Sequence, residues 1–198
     1  MDTEAPPGFL YRPDFVSEDQ EHDLLAGIQG VAFSDVRMHG VTARRHTAHF
    51  GWLYGYETSR IEPGPAAPDF LRELRGRTGD LAGIEGDRLE EVLLTEYPAG
   101  AGIGWHRDAP MFGLVVGVSL LGLCRLRFQR GAGTARQTCA VTLAPRSAYV
   151  LTGAARSEWQ HSIPPTKTTR YSITFRTLRR QADAASRARP AGRRQEAL

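Results

Sequence analysis

The chain has 198 residues, 41% of them hydrophobic and 24% charged, which is the composition of one globular domain and excludes a disordered or fibrous chain. Its 25 basic and 22 acidic residues give a formal +3, but residues 177–198 alone hold six arginines against two acids, so everything before them sums to −1. The sequence pI near 9.1 therefore comes from one end, and global charge identifies no partner. Two cysteines, Cys124 and Cys139, exclude a disulfide scaffold. The opening MDTEAPPGF has no basic or apolar segment of a secretory signal, and the longest nearly apolar run, 114–123, is about half of what a membrane-spanning helix needs. The expectation is a soluble cytoplasmic protein without a membrane partner, a monomer by default.

Along the chain, a Pro-rich opening leads to Ser17-Glu18-Asp19-Gln20, where Ser17 can cap a helix and Gln20 can complete a capping box. With Leu24, Leu25 and Ile28 following, a short amphipathic helix is predicted near 18–29. Phe50, Trp52, Tyr54 and Tyr56 recur with period two, which predicts an extended segment over 41–56 with all four aromatics on one face. IEPGPAAP at 61–68 reads as a break in regular structure. A second helix is predicted over 69–79, with Asp69 at its start and Phe70, Leu71 and Leu74 as its apolar stripe.

From Glu91 the chain changes to seven short β-like runs punctuated by Gly and Pro: EVLLTEY, IGWHRD, GLVVGVSL, CRLRFQ, CAVTL, SAYVLT and RYSITFRT. They predict a β-sandwich or barrel. No internal repeat and no long linker divides the chain. Residues 1–178 read as a single domain whose β core covers about 91–178, and 179–198 as a basic, flexible tail.

The most informative stretch is Gly104-Trp105-His106-Arg107-Asp108, because residues i and i+2 of a strand share a face and can bind one ion together. His161 lies just ahead of the last strand, so an antiparallel fold can return it beside that pair. Two imidazoles and one carboxylate on one face leave coordination positions open, which points to a non-heme Fe(II) oxygenase and away from a closed zinc site. His22, His39, His46 and His49 compete as the third ligand. The last strand, Arg170-Tyr171-Ser172-Ile173-Thr174-Phe175-Arg176, alternates polar and apolar residues. Two arginines facing inward are costly unless anions meet them, and a planar fork suits a carboxylate. The pair makes chemical sense as the holder of 2-oxoglutarate; the plainer alternative is a strand with a solvated arginine face.

Taken in order, Tyr97-Pro98-Ala99-Gly100-Ala101-Gly102-Ile103-Gly104-Trp105-His106-Arg107-Asp108, His161 and the Arg170–Arg176 strand resemble the AlkB-like family of Fe(II)- and 2-oxoglutarate-dependent dioxygenases. The resemblance covers about Leu93 to Arg176, with the N-terminal half matching only loosely. It implies a double-stranded β-helix, or jelly roll, mainly β within an α+β class, with flanking N-terminal helices. It implies His106, Asp108 and His161 as catalytic iron ligands, Arg170 with Tyr97 on the distal carboxylate of 2-oxoglutarate, Arg176 near the end that chelates the metal, and Ser172 as a further contact. Where many relatives carry Asn, this chain has Thr95, whose hydroxyl donates with a shorter reach. The implied cofactors are Fe(II) with 2-oxoglutarate and O2, and the implied chemistry is oxidative decarboxylation of the keto acid coupled to substrate oxidation. On an N-methylated base that chemistry ends in release of formaldehyde.

For the substrate, Arg44, Arg45 and His46 precede the aromatic stripe, and with Trp52 and Tyr54 they suggest a platform for alkylated DNA or RNA. Arg125, Arg127 and Arg130 form a second cluster, although one lysine against twenty-four arginines in the chain marks a general arginine bias. Pro110 stands where some base-repair relatives have an acidic residue. The alternatives are the same oxygenase acting on a protein or small molecule, and a non-catalytic jelly-roll binding module.

Overall fold

The computed structural model describes residues 4–38, 41–55 and 60–179; His39, Tyr56 and the tail from Arg180 onward lie outside the described residues. In chain order the elements are β1 (Phe9–Arg12), α1 (Glu18–Gln29), β2 (Ser34–Met38), β3 (Val41–Gly55), β4 (Arg60–Pro63), α2 (Arg72–Ala82), β5 (Glu91–Tyr97), β6 (Ile103–His106), β7 (Phe112–Leu120), β8 (Cys124–Arg130), β9 (Gln137–Leu143), β10 (Ser147–Leu151), α3 (Gly153–Ser157), β11 (Gln160–Ile163) and β12 (Arg170–Leu178). The larger sheet runs β1-β10-β7-β12-β5-β3-β2 with β4 added beside β3, and the smaller runs β6-β11-β8-β9. All these pairings are antiparallel.

Period-two alternation sends each central strand's two faces to two different cores. Val92 and Leu94 of β5, Val116 and Val118 of β7, and Ile173 and Phe175 of β12 pack beneath Leu24 and Ile28 of α1 and Leu74 of α2. Ile173, Phe175, Val116 and Val118 are 0% exposed, and each such side chain contributes about 1.5–3 kcal/mol by leaving water. The opposite face, through Tyr97, Val115, Tyr149 and Leu151, meets Leu126, Phe128, Cys139 and Leu143 of the smaller sheet. Helices outside the larger sheet and two sheets face to face make the expected jelly roll. Cys124 and Cys139 are buried and free.

Helix α1 begins as its capping box requires. Ser17 Oγ accepts from Gln20 N at 3.2 Å, and Gln20 Oε1 accepts from Ser17 N at 3.0 Å. The second helix starts as a 3-10 turn at Asp69–Leu71 and continues as α2 to Ala82, three residues beyond expectation, where Gly83 closes it in the left-handed region at φ 68°.

Three expectations need correction. Residues 61–68 are not wholly irregular, because β4 folds back on β3 with Tyr54 opposite Ile61 and Trp52 opposite Pro63; irregular chain begins only beyond Pro63. Among the described residues of β3 the aromatics do not share a face. Gly51 sits at φ 77°, and a Cβ there would meet the Glu90 carbonyl at 2.1 Å, so the strand changes phase at a residue only glycine allows. Phe50 therefore packs toward the helices, while Leu53 and Tyr54 line the space between the sheets. Finally, there are twelve described strands. β1, β2, β4 and β11 are too short for periodicity to show, and exist through tertiary pairing.

Candidate active site

The site lies between the sheets, around a cavity of about 460 Å³. β5 delivers Tyr97 and then turns through Pro98-Ala99-Gly100 into β6. At Gly102 a Cβ would meet the Ile163 carbonyl at 2.6 Å, so a glycine lets β6 close against β11. The pairing places His106 directly opposite His161, with ring centroids 4.3 Å apart. β6 ends at His106, so Asp108 lies just beyond the strand, and its Oδ2 is 3.7 Å from His161 Nε2.

His106 Nδ1 lies 2.9 Å from the Gly104 carbonyl. Nδ1 therefore carries the proton and donates it, leaving Nε2 as a lone pair. Burial lowers the His106 pKa and pushes that of His161 down to about 4, so both rings are neutral near pH 7. Burial alone would raise the pKa of Asp108, but Arg176, ahead of His161, overrides it and holds the carboxyl below the usual range. Asp108 Oδ2 is buried without a hydrogen-bond partner. Two donors each about 2.1 Å from one divalent ion are at most about 4.2 Å apart, which the 3.7 Å separation satisfies. An orphaned carboxylate oxygen beside one neutral imidazole, with a second imidazole opposite that one across the strands, is a donor set that suits Fe(II).

The second half of the site is the register of β12 on β5. Arg170 pairs with Tyr97, Ser172 with Thr95, and Arg176 with Glu91, which sets these six residues in facing pairs. Arg170 is 0% exposed. Its Nε donates to Ser119 Oγ at 2.9 Å and its guanidinium lies 5.2 Å from the Tyr97 ring centroid, while Nη1 and Nη2 are buried with no partner. A buried cation presenting an unfilled fork is stable only when an anion meets it. Arg176 is already engaged. Its Nε donates to Asp108 Oδ1 at 2.9 Å, its Nη2 is 2.7 Å from the same oxygen, and its Nη1 donates to both Glu91 oxygens at 3.0 and 2.8 Å.

Thr95 and Ser172 line the cavity together, as does Arg45, with Tyr54 edge-on to Phe112 at 6.4 Å. Arg44 and Trp52 do not line it; Arg44 reaches the Gly100 turn instead. Of the competing histidines, His22 is exposed on α1, and His46 is bonded to Glu96 at 2.9 Å. His49 lines the cavity 3.6 Å from Glu91. Sequence reasoning missed Glu91, Ser119 and Tyr149. Glu91 shares the odd-numbered face of EVLLTEY with Thr95 and Tyr97, a signal that marks it once β12 is paired in register. It also missed Arg156, whose Nη2 donates to the carbonyls of Ala109 at 2.9 Å and Phe112 at 2.7 Å and so fixes the chain leaving Asp108.

The sequence profile of the 2OG-Fe(II) oxygenase superfamily matches residues 8–179, and the chain belongs to that superfamily. Its members are dioxygenases that require Fe(II), 2-oxoglutarate and O2. Within the superfamily the chain is AlkB-like. It is 27% identical over 182 residues to the alkylated DNA repair protein ALKBH8 homolog of Arabidopsis thaliana, covering 80% of this chain and 51% of that protein. It is 32% identical over 109 residues to the probable RNA/DNA demethylase ALKBH6 of Danio rerio, covering 55% of this chain and 44% of that one. The solved structure of OsALKBH1 superposes with a TM-score of 0.70 at 14% identity, covering 89% of this chain and 100% of that one, which shows the fold. The chain spans about half the length, or less, of these two curated relatives. Among the described residues no helix is long and apolar enough to cross a membrane.

Proposed function

We propose that this protein oxidises alkylated bases in DNA or RNA, with His106, Asp108 and His161 holding Fe(II) and Arg170 holding the distal carboxylate of 2-oxoglutarate. The observation that carries the reading is the unfilled, fully buried fork of Arg170 against Tyr97, together with the unpartnered oxygen of Asp108, Tyr97 and Asp108 both lining the cavity. When bound, the iron supplies oxidation of a substrate C–H bond by O2, coupled to decarboxylation of the keto acid to succinate.

The chain's own residues set the geometry for that chemistry. Gly104 fixes the His106 tautomer, so the ring offers Nε2 to the metal. Arg176 grips Oδ1 of Asp108, which leaves Oδ2 for the ion and keeps the carboxylate charged. Ser119 orients Arg170, so its two free Nη groups meet a carboxylate as a bidentate fork. The hydroxyls of Thr95 and Ser172, opposite one another across β5 and β12, contribute further polar contacts along the co-substrate. A cavity of about 460 Å³ is in the range that encloses a small flat ligand, and Arg45 and Tyr54 on its wall supply a cation and an aromatic face for a base. The names of these two relatives, which describe alkylated DNA repair and RNA/DNA demethylation, support a nucleic-acid substrate here. Residues 1–178 serve as the catalytic domain, and the arginines of 179–198 add salt-dependent attraction for phosphate.

Anaerobic titration with Fe(II) and 2-oxoglutarate tests the site. A visible metal-to-ligand charge-transfer band is expected, abolished in His106→Ala and weakened in Arg170→Ala. Aerobic incubation with N-methylated oligonucleotides then releases formaldehyde. A folded, iron-loaded protein without the band refutes the ligand assignment, and co-substrate turnover without demethylation of DNA or RNA refutes the substrate.

A further inference from the structure

The four strands of the smaller sheet carry Arg125, Arg127 and Arg130 and no acidic residue. Along β8 the even positions Cys124, Leu126 and Phe128 point into the core, so Arg125, Arg127 and Gln129 face outward. Arg127 donates from Nε to Ser162 Oγ at 3.1 Å and lies 5.0 Å from the ring centroid of Trp105. Trp105 is 37% exposed. Arg130 is neutralised by Glu158 at 2.9 Å. Among the described residues, neither Arg125 nor Arg127 has a carboxylate partner. Arg107 is exposed and donates to the Ser157 carbonyl at 3.3 Å, and Arg136 is exposed in the β8–β9 connection.

Arginine bias in the composition does not explain this face. On the helical side three arginines are matched by acids, Arg72 with Asp69, Arg75 with Asp87 at 3.8 Å, and Arg146 with Glu18 at 3.5 Å and Glu21 at 3.4 Å, and Arg77 is taken up by Gln20 and the Phe15 carbonyl. Arg107, Arg125, Arg127 and Arg136, without a carboxylate partner among the described residues, thus gather around the smaller sheet, beside an exposed tryptophan that immediately precedes the metal-ligand candidate His106. Arg125 and Arg127 are two positions apart on a strand, about 6.6 Å, so they can meet different anionic groups of one extended partner. Guanidinium forks suit phosphate, and a tryptophan face suits an unstacked base.

We propose that the outer face of the smaller sheet binds the phosphate backbone of the strand that flanks the base in the cavity. This rests on the nucleic-acid reading above and adds a second surface to it, one that acts on length of polynucleotide and not on the modified base. Each arginine–phosphate contact to a single strand contributes about 0.7 to the slope of log affinity against log salt.

The test uses the full chain and fluorescence anisotropy with two single-stranded probes, a 20-mer and a 5-mer with the same central methylated base. Arg125→Gln combined with Arg127→Gln should weaken 20-mer binding about tenfold and flatten its salt slope by about 1.4, from two contacts at about 0.7 each. The 5-mer affinity should change less than twofold. A second variant guards against misfolding: exposed Thr142 lies opposite Arg125 in the β8–β9 ladder, so Thr142→Glu neutralises the patch without removing a contact. It should weaken the 20-mer several-fold while leaving thermal stability unchanged. If the wild type binds both probes and neither variant alters 20-mer affinity or salt slope, the surface is refuted and the substrate reading stands. Failure of the wild type to bind either probe overturns the substrate reading itself.

Discussion

Glu91→Ala is the perturbation that most directly tests how Asp108, the proposed metal carboxylate, is held. Glu91 and Arg176 have side chains 2% and 11% exposed, with their closest contact at 2.8 Å. Arg176 also grips Asp108, so removing Glu91 does not strand a bare buried cation, and the full 3–5 kcal/mol typical of breaking a buried ion pair, about that much in general, is an upper bound. What is lost is two charge-assisted bonds from Nη1, each contributing about 1.5–3 kcal/mol. The expected destabilisation is therefore about 3 kcal/mol, or roughly 6–12 °C in Tm for a domain of this size. Glu91→Gln keeps the shape and one acceptor and should cost about half as much. Glu158→Ala is the control, because its pair with Arg130 is 56% and 39% exposed and such surface pairs contribute under about 1 kcal/mol. Urea denaturation of the three metal-free variants measures all of these. In parallel, loss of the partner that orients Arg176 should weaken divalent-metal binding about 10–100-fold, as for other groups behind a metal ligand. If Glu91→Ala unfolds within 1 kcal/mol of Glu158→Ala and binds metal as the wild type does, the Glu91–Arg176–Asp108 chain does not support the site.

Arg170→Lys retains the charge but not the fork; KM for 2-oxoglutarate should rise about 100-fold, as expected when a bidentate contact worth about 2.7 kcal/mol is lost, while metal affinity measured by calorimetry is unchanged. Gly117→Ala should destabilise by about 1–3 kcal/mol, because a Cβ there would meet the Tyr149 ring at 2.3 Å; Gly104→Ala, with nothing within 4 Å, should fall within about 1 kcal/mol of wild type, and equal effects in a denaturation series would refute the packing argument. Ser17→Ala removes one half of the capping box and should cost about 1 kcal/mol, read as an earlier urea midpoint with an unchanged slope.

The local patterns that were legible share one property: they repeat at the period of the element that contains them. The Ser17–Gln20 box, the apolar stripe at Leu24 and Ile28, and the alternation of Arg170 through Arg176 each state their structure within a few residues. The motif around His106 and Asp108 states its chemistry in the same local way. The aromatic series Phe50, Trp52, Tyr54 misled because alternation holds only while backbone dihedrals stay extended, and Gly51 at φ 77° does not. Several of the short strands escaped for a related reason, since four residues such as Gln160–Ile163 have no period to show.

The amino-acid sequence by itself determined the period of the longer elements and the residue types of the site, because these depend on neighbours in the chain; it did not determine that Asp108 lies past the end of β6, where no strand face is shared with His106. Only the tertiary structure decided which partners meet across strands. His161 comes to His106 from 55 positions away by the register of β11 on β6, and Glu91 meets Arg176 across 85. It also decided that Arg176 is occupied while Arg170 offers a free fork, and that Arg125 and Arg127 face outward from a sheet whose strands carry no acidic residue. Those distinctions depend on burial and on the charges brought alongside, neither of which is a property of a residue or its sequence neighbours.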